Sequence, residues 1–177
     1  GIGTASRKLP KSLGGYTVGV LVQTNFGGNL VIGGMPAGKI LEKHSYDDAL
    51  KNSDGSCMIV VATDAPILDR NLERIAQRAM MGLAKTGGIA SNGSGDYVIA
   101  FSTAEHLRQL HQSKKLELDT FHVLNNNDTS PLFMATIEAT EEAIINSLFA
   151  AETMKGFDGN IVEKIPVERI AEWFKIK

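Results

Sequence analysis

Three short segments hold residues of catalytic type where a rigid element can fix them. In the first, Asp54-Gly55-Ser56-Cys57, a serine heads the apolar run CMIVV. A hydroxyl at the accessible end of a strand is a seat for a nucleophile, and the glycine before it permits backbone angles that other residues avoid. A turn that runs into a strand has the same composition, so the segment by itself leaves both readings open. Cys57 competes for the nucleophile's role, but strand alternation turns it to the face opposite Ser56, which suits a buried structural thiol. In the second segment, Asn92-Gly93-Ser94-Gly95-Asp96, the glycines on either side of Ser94 permit close backbone approach. Ser94 and Asp96 lie two apart and share a side if the loop is extended, where a hydroxyl and a carboxylate relay and orient a proton. The alternative is a glycine-rich connector; a phosphate cradle is disfavoured because it would need a lysine that is not there. The third segment, Gln23-Thr24-Asn25, ends on an asparagine that either offers its NH₂ to a developing oxyanion or forms the turn into Phe-Gly-Gly.

The elements that must position these residues follow from the pattern of apolar side chains. YTVGVLVQTN, over 16–25, is β-branched and predicts a largely buried strand, with 29–32 returning as a short second one. Residues 34–54 have no period and read as a surface excursion. CMIVV, over 57–61, shows no polar alternation and predicts a strand buried on both faces. Leu68, Leu72, Ile75, Ala76, Ala79, Met80 and Leu83 recur at helical spacing, which predicts an amphipathic helix over 69–85, stopped by TGGIASNGSG. DYVIAFS follows as a strand. Residues 103–115 form a helix or an ordered surface segment, and FHVLNNN a strand end. Ser130 and Pro131 open a long helix whose buried stripe is Phe133, Ile137, Ile144, Leu148 and Ala151 and which Gly156 ends. A last helix spans 167–174. Helices gathered against strands that need not all be parallel predict an α+β architecture, a layered αββα sandwich.

Composition narrows the chemistry further. The 177 residues are 43% apolar and 21% charged with a net charge of −2, the profile of one globular domain without a nucleic-acid footprint. No apolar run reaches the ~18 residues of a membrane span, and 1–11 lacks the core of a signal peptide. The single cysteine rules out an internal disulfide. His44, His106, His111 and His122 have no partner at ligand spacing, so neither metal nor cofactor is expected. The charged run over 114–119 reads as a solvated face, and Met80, Met81 and Met134 as core filler. The chain opens with Gly rather than Met, as a cleaved product or a fragment does.

Taken in order, YTVGVLVQTNFG, DGSCMIVVATDAPI, SNGSGDYVIAFST and EATEEAIINSLFAAETMKG resemble the L-aminopeptidase/D-esterase family, which includes the β-peptidyl aminopeptidases. The likeness runs from GIGTASR to the C-terminal helix and thins only over 34–54. It implies a metal-free hydrolase with an αββα fold similar to that of the ornithine acetyltransferases. It also implies a precursor that cuts itself between Gly55 and Ser56: 1–55 would end a long α chain, most of which is not in this sequence, and 56–177 would be the short β chain. On the same resemblance Ser56 is the nucleophile, Ser94 and Asp96 support it, with Asp where some relatives carry Glu, and Asn25 lies on the oxyanion side. The partners implied are the remainder of the α chain, a small peptide or an aminoacyl amide or ester as substrate, and further copies of the chain in a homo-oligomer. The compartment implied is the cytoplasm, with the periplasm as the alternative. Two other readings stand beside the aminopeptidase. One is an acyl transferase of the ornithine acetyltransferase type, whose nucleophile would be a threonine in a different motif; the other is an inactive, unprocessed fragment.

Overall fold

The computed structural model describes residues 1–42, 55–109 and 120–175. A four-stranded sheet lies at its centre, in the order β1 (Ile2–Lys8), β2 (Thr17–Asn25), β3 (Ser56–Thr63) and β4 (Tyr97–Ser102). The pairs β1–β2 and β2–β3 are antiparallel, and β3–β4 is parallel. A parallel pair needs a crossover, supplied by α2 (Asp69–Lys85). α3 (Ser130–Phe149) packs beside α2 and against β1 and β2. The result is an α+β layered fold, with the helices on one face of the sheet.

The core forms because alternate strand residues face those helices. Val18, Val20 and Val22 of β2 and Cys57, Ile59 and Val61 of β3 are buried against Ile75, Ala79 and Leu83 of α2 and Leu132, Ala135, Ala139 and Ala143 of α3. α2 and α3 approach closely at Gly82, where a Cβ would lie 2.6 Å from Thr140 Cβ. Smaller elements complete the chain: α1 (Ala37–Ile40), the hairpin of β5 (Met154–Lys155) and β6 (Ile161–Val162), and α4 (Val167–Lys175). Ile170 of α4 closes a second small core with Ile32 and Ala37.

Several expectations are corrected. β3 is buried on one face only, because its outward residues, also apolar, meet open space: Met58 is 37% exposed, and Leu21, Ile99 and Phe101 of neighbouring strands share that face. β1 was missed, since IGTASRK carries too few apolar residues to look like a strand and owes its state to pairing with β2. Residues 29–32 form no strand; Gly28 bridges Gly88 and Ile32 bridges Met35. The segment FHVLNNN forms no strand and runs into a 3₁₀ turn at Asn126–Asp128. Of the stripe expected on α3, Ile144 is fully buried; the rest of the buried side is Leu132 and the small residues Ala135, Thr136, Ala139, Thr140, Ala143 and Ser147, because a helix wedged against both a sheet and a second helix needs small residues at the contact. It ends at Phe149, well before Gly156. Met81 and Met134 are exposed rather than core. The part of the surface excursion over 43–54, the run over 114–119, His44 and His111 lie outside the described residues.

Candidate active site

Asn25 ends β2, Ser56 begins β3, and the antiparallel register sets the two directly opposite. Opposed residues in such a pair project to one face with Cβ atoms roughly 4.5–5.5 Å apart. The asparagine and the serine therefore share the open face at one end of the sheet. Ser56 Oγ donates to the Gly55 carbonyl oxygen at 2.8 Å and accepts from the backbone N–H of Gly95 at 3.2 Å. That donor arrives through the parallel register, in which Met58 pairs with Tyr97; two residues back along both strands, Gly95 falls beside Ser56.

The two glycines serve closeness rather than unusual backbone angles. Neither Gly55 nor Gly95 has a positive φ, which corrects the expectation of strained angles before Ser56. A Cβ on Gly55 would lie 2.8 Å from the Asn25 carbonyl oxygen and 2.9 Å from Phe26 Cα, and both neighbours are backbone atoms that cannot swing aside. From the sequence, Gly95 is expected to permit close backbone approach beside Ser94, and the structure shows what approaches: Ser56 Oγ. The function of Gly95 as a donor was invisible in the sequence because every residue except proline has the same N–H; the sole hint was a glycine between two polar residues just before a strand.

Asp96 lies one residue farther along, beside Cys57. Its Oδ1 is buried and has no hydrogen-bond partner, an arrangement that costs about 1–3 kcal/mol and calls for an explanation. Burial and, second, the Asp96 charge push the Cys57 thiol up to about 12. With its side chain 0% exposed, Cys57 is a core thiol. Ser94 is half-buried and its N–H closes a turn onto the Ser91 carbonyl at 2.8 Å. Among the described residues no hydrogen bond joins the side chains of Asn25, Ser94 or Asp96 to Ser56. The geometry thus gathers Asn25, Gly55, Ser56 and Gly95 at one point and keeps Ser94 and Asp96 on its flank.

Beyond the end of β2 lies a cavity of about 460 Å³, walled by Asn25, Phe26, Leu41, Leu148 and Ile165. Of the histidines, His106 Nε2 lies 2.9 Å from the His122 carbonyl oxygen. Among the described residues no three histidine, cysteine or acidic side chains cluster as a metal would require, and no helix is long and apolar enough to cross a membrane.

Residues 1–162 match the family model described as "Peptidase family S58". The chain is 39% identical over 180 residues to the "Beta-peptidyl aminopeptidase BapA" of Sphingosinicella microcystinivorans, an alignment covering 94% of this chain and 45% of that protein. Among solved structures, a Burkholderia sp. β-aminopeptidase superposes with a TM-score of 0.84 at 38% identity, covering 99% of this chain and 48% of that one. The L-aminopeptidase D-Ala-esterase/amidase of Ochrobactrum anthropi, described as a prototype for the serine aminopeptidases and a new variant among the Ntn hydrolase fold, gives 0.82 at 32% identity, covering 99% and 47%. The chain spans about half the length of these relatives.

Proposed function

Because the chain belongs to peptidase family S58, we propose that it is the nucleophile-bearing part of an aminopeptidase that releases N-terminal residues from peptides, amides or esters through an acyl-enzyme on Ser56. The observation that carries this reading is the hydroxyl of Ser56, 2.8 Å from the oxygen of the carbonyl that precedes it and held there by the Gly95 N–H. A serine so placed can act first on its own backbone. Oγ attacks the Gly55 carbonyl carbon, the Gly55–Ser56 amide bond breaks, and the proton leaves Oγ for the departing nitrogen. The resulting ester is hydrolysed by water to a Gly55 carboxylate and a free Ser56 hydroxyl. Gly55 has no side chain to shield that carbonyl.

The cut would solve the activation problem. An unassisted serine hydroxyl is a weak nucleophile at neutral pH. The new α-amino group of Ser56, with a reference pKa near ~8, is a base of suitable strength on the same residue. Asp96 supports this reading, since its unpartnered buried oxygen lies one residue from the seat and can receive an ammonium N–H. Turnover then repeats the chemistry on a substrate: Oγ attacks the carbonyl of the N-terminal residue, the amine takes the proton and returns it to the leaving group, and water cleaves the ester. Asn25 offers its NH₂ to the oxyanion.

The partner we assign is the remainder of the long chain, laid over the open sheet face beyond the Ser56 end. Leu21, Ile99 and Phe101 make that part of the face apolar, and exposed apolar patches of this kind mark contact surfaces. A second sheet laid there would complete the αββα sandwich.

The test is Ser56→Ala in the protein as its own reading frame encodes it. The expected result is a single uncut chain with unchanged circular dichroism and no hydrolysis of aminoacyl p-nitroanilides. Two chains on a denaturing gel, or activity retained, would place the nucleophile elsewhere.

A further inference from the structure

One exposed aromatic ring stands beside the proposed nucleophile and has no part in the chemistry described above. A methyl group placed on Gly95 would lie 3.3 Å from Ser56 Oγ and 3.3 Å from Cε2 of Tyr97. The hydroxyl and the ring edge are therefore no farther apart than twice that distance, within one substrate side chain of each other. Tyr97 shares a face with Ser56: it pairs with Met58 in the parallel register, and Met58 follows Ser56 by two residues on the same strand. Its side is the open one, where Tyr97 is 64% exposed and Met58 37%. Tyr97 stands at the start of the edge strand β4, with its ring presented on the same side as the hydroxyl.

We infer that Tyr97 is a specificity-determining residue whose ring forms one wall of the subsite for the residue being released, favouring an apolar side chain of leucine size over the methyl of alanine. An acyl group on Ser56 Oγ must project from the open face, because the strand itself blocks the other. Its Cα lies two bonds from Oγ, close enough for a side chain of leucine length directed toward β4 to reach the Tyr97 ring. Met58, next along the same face, extends the wall. An aromatic wall offers broad apolar area at little conformational cost, since the ring has only two side-chain torsions to fix.

This inference rests on Ser56 being the acylated residue, and the experiment separates the two. The substrates are alanyl and leucyl p-nitroanilides, each in the L, D and β³ series, read in whichever series the wild-type protein turns over. The quantity is the ratio of kcat/KM for leucyl over alanyl, in which the folded fraction cancels, so a purely structural change does not move it. The wild type is expected to prefer leucyl. Tyr97→Ala should lower the ratio about tenfold, the low end of what one apolar contact discriminates, whereas Tyr97→Phe should keep it. Should the alanine variant not fold, Tyr97→Val, which suits a strand, is read in the same way. An unchanged ratio in Tyr97→Ala, with Ser56→Ala inactive, overturns the inference and leaves the aminopeptidase reading intact. Loss of the ratio in Tyr97→Phe also overturns it, by assigning discrimination to the phenol oxygen. Activity surviving in Ser56→Ala removes both.

Discussion

The backbone N–H of Gly95 donates to Ser56 Oγ at 3.2 Å across thirty-nine residues of sequence. It is a fixed donor on the loop that enters β4, and together with the bond from Oγ to the Gly55 carbonyl oxygen it holds the hydroxyl in one orientation. The N–H has no side chain to mutate, but the space around it does. Gly95→Ala needs no unfavourable backbone angle, and its methyl would press on Ser56 Oγ and on Tyr97. We expect stability to change by less than about 0.5 kcal/mol and kcat/KM to fall roughly 10- to 100-fold, the loss that a small displacement of a reacting atom produces. Urea denaturation and steady-state kinetics on one preparation measure the two effects; full activity in the variant would mean that the contact is incidental.

Ser94 and Asp96 should behave as one unit. If they orient the Ser56 amine and hydroxyl, Ser94→Ala and Asp96→Asn each lower kcat by roughly 10²- to 10⁴-fold with little change in KM. The double variant should fall far short of the product of the two losses, because a single proton path is lost only once. Small, strictly additive losses would return SNGSGD to the status of a connector.

The Cys57 thiol yields a prediction about pH. Its folded pKa is raised from the ordinary 9.0 to about 12. The folded state therefore holds its proton more tightly than the unfolded chain, and this contribution to stability is fully present below pH 9 and is lost as pH rises toward 12. Unfolding free energy should fall across that window less steeply in Cys57→Ala than in the wild type. A thiol reagent at pH 8 should label the native protein only on unfolding; rapid labelling would show that the side chain is reached from solvent.

Gly82 tests the packing. Alanine is the better helix former by about 1 kcal/mol, yet a Cβ there meets Thr140 Cβ at 2.6 Å and the Ile137 carbonyl oxygen at 2.7 Å. The second neighbour is backbone, so the helices must separate, at about 1–3 kcal/mol. With backbone as one of the obstacles the overlap lies toward the upper end of that range and outweighs propensity, so Gly82→Ala should lower the urea midpoint by an amount that corresponds to up to about 2 kcal/mol. A variant as stable as the wild type would mean that α2 and α3 can slide apart freely.

What was legible in the sequence was what has a period or a chain-local cause. α2 was read to its ends because seven apolar residues recur on one face, and Ser56 was singled out because a serine heading an apolar run is locally odd. β1 was not legible, since its strand state is conferred by β2. The buried side of α3 was legible only at Ile144, because large residues attract the eye, whereas Ala135, Ala139 and Ala143 fit the narrow space between sheet and helix. The run CMIVV was read as buried on both faces, and its outward apolar residues do face a surface, one open in the described chain. Asn25 and Ser56 were separate candidates thirty-one residues apart; only strand register could set them opposite one another.

The parallel pairing of β3 and β4 makes the site conditional on long-range assembly. Antiparallel neighbours can meet through a short hairpin, but β4 joins β3 through the α2 crossover. Without that pairing the hydroxyl of Ser56 has no Gly95 N–H to hold it. On the proposed reading, scission of the backbone would report that β4 had docked, and a chain kept unfolded in urea should stay intact until it is diluted into buffer.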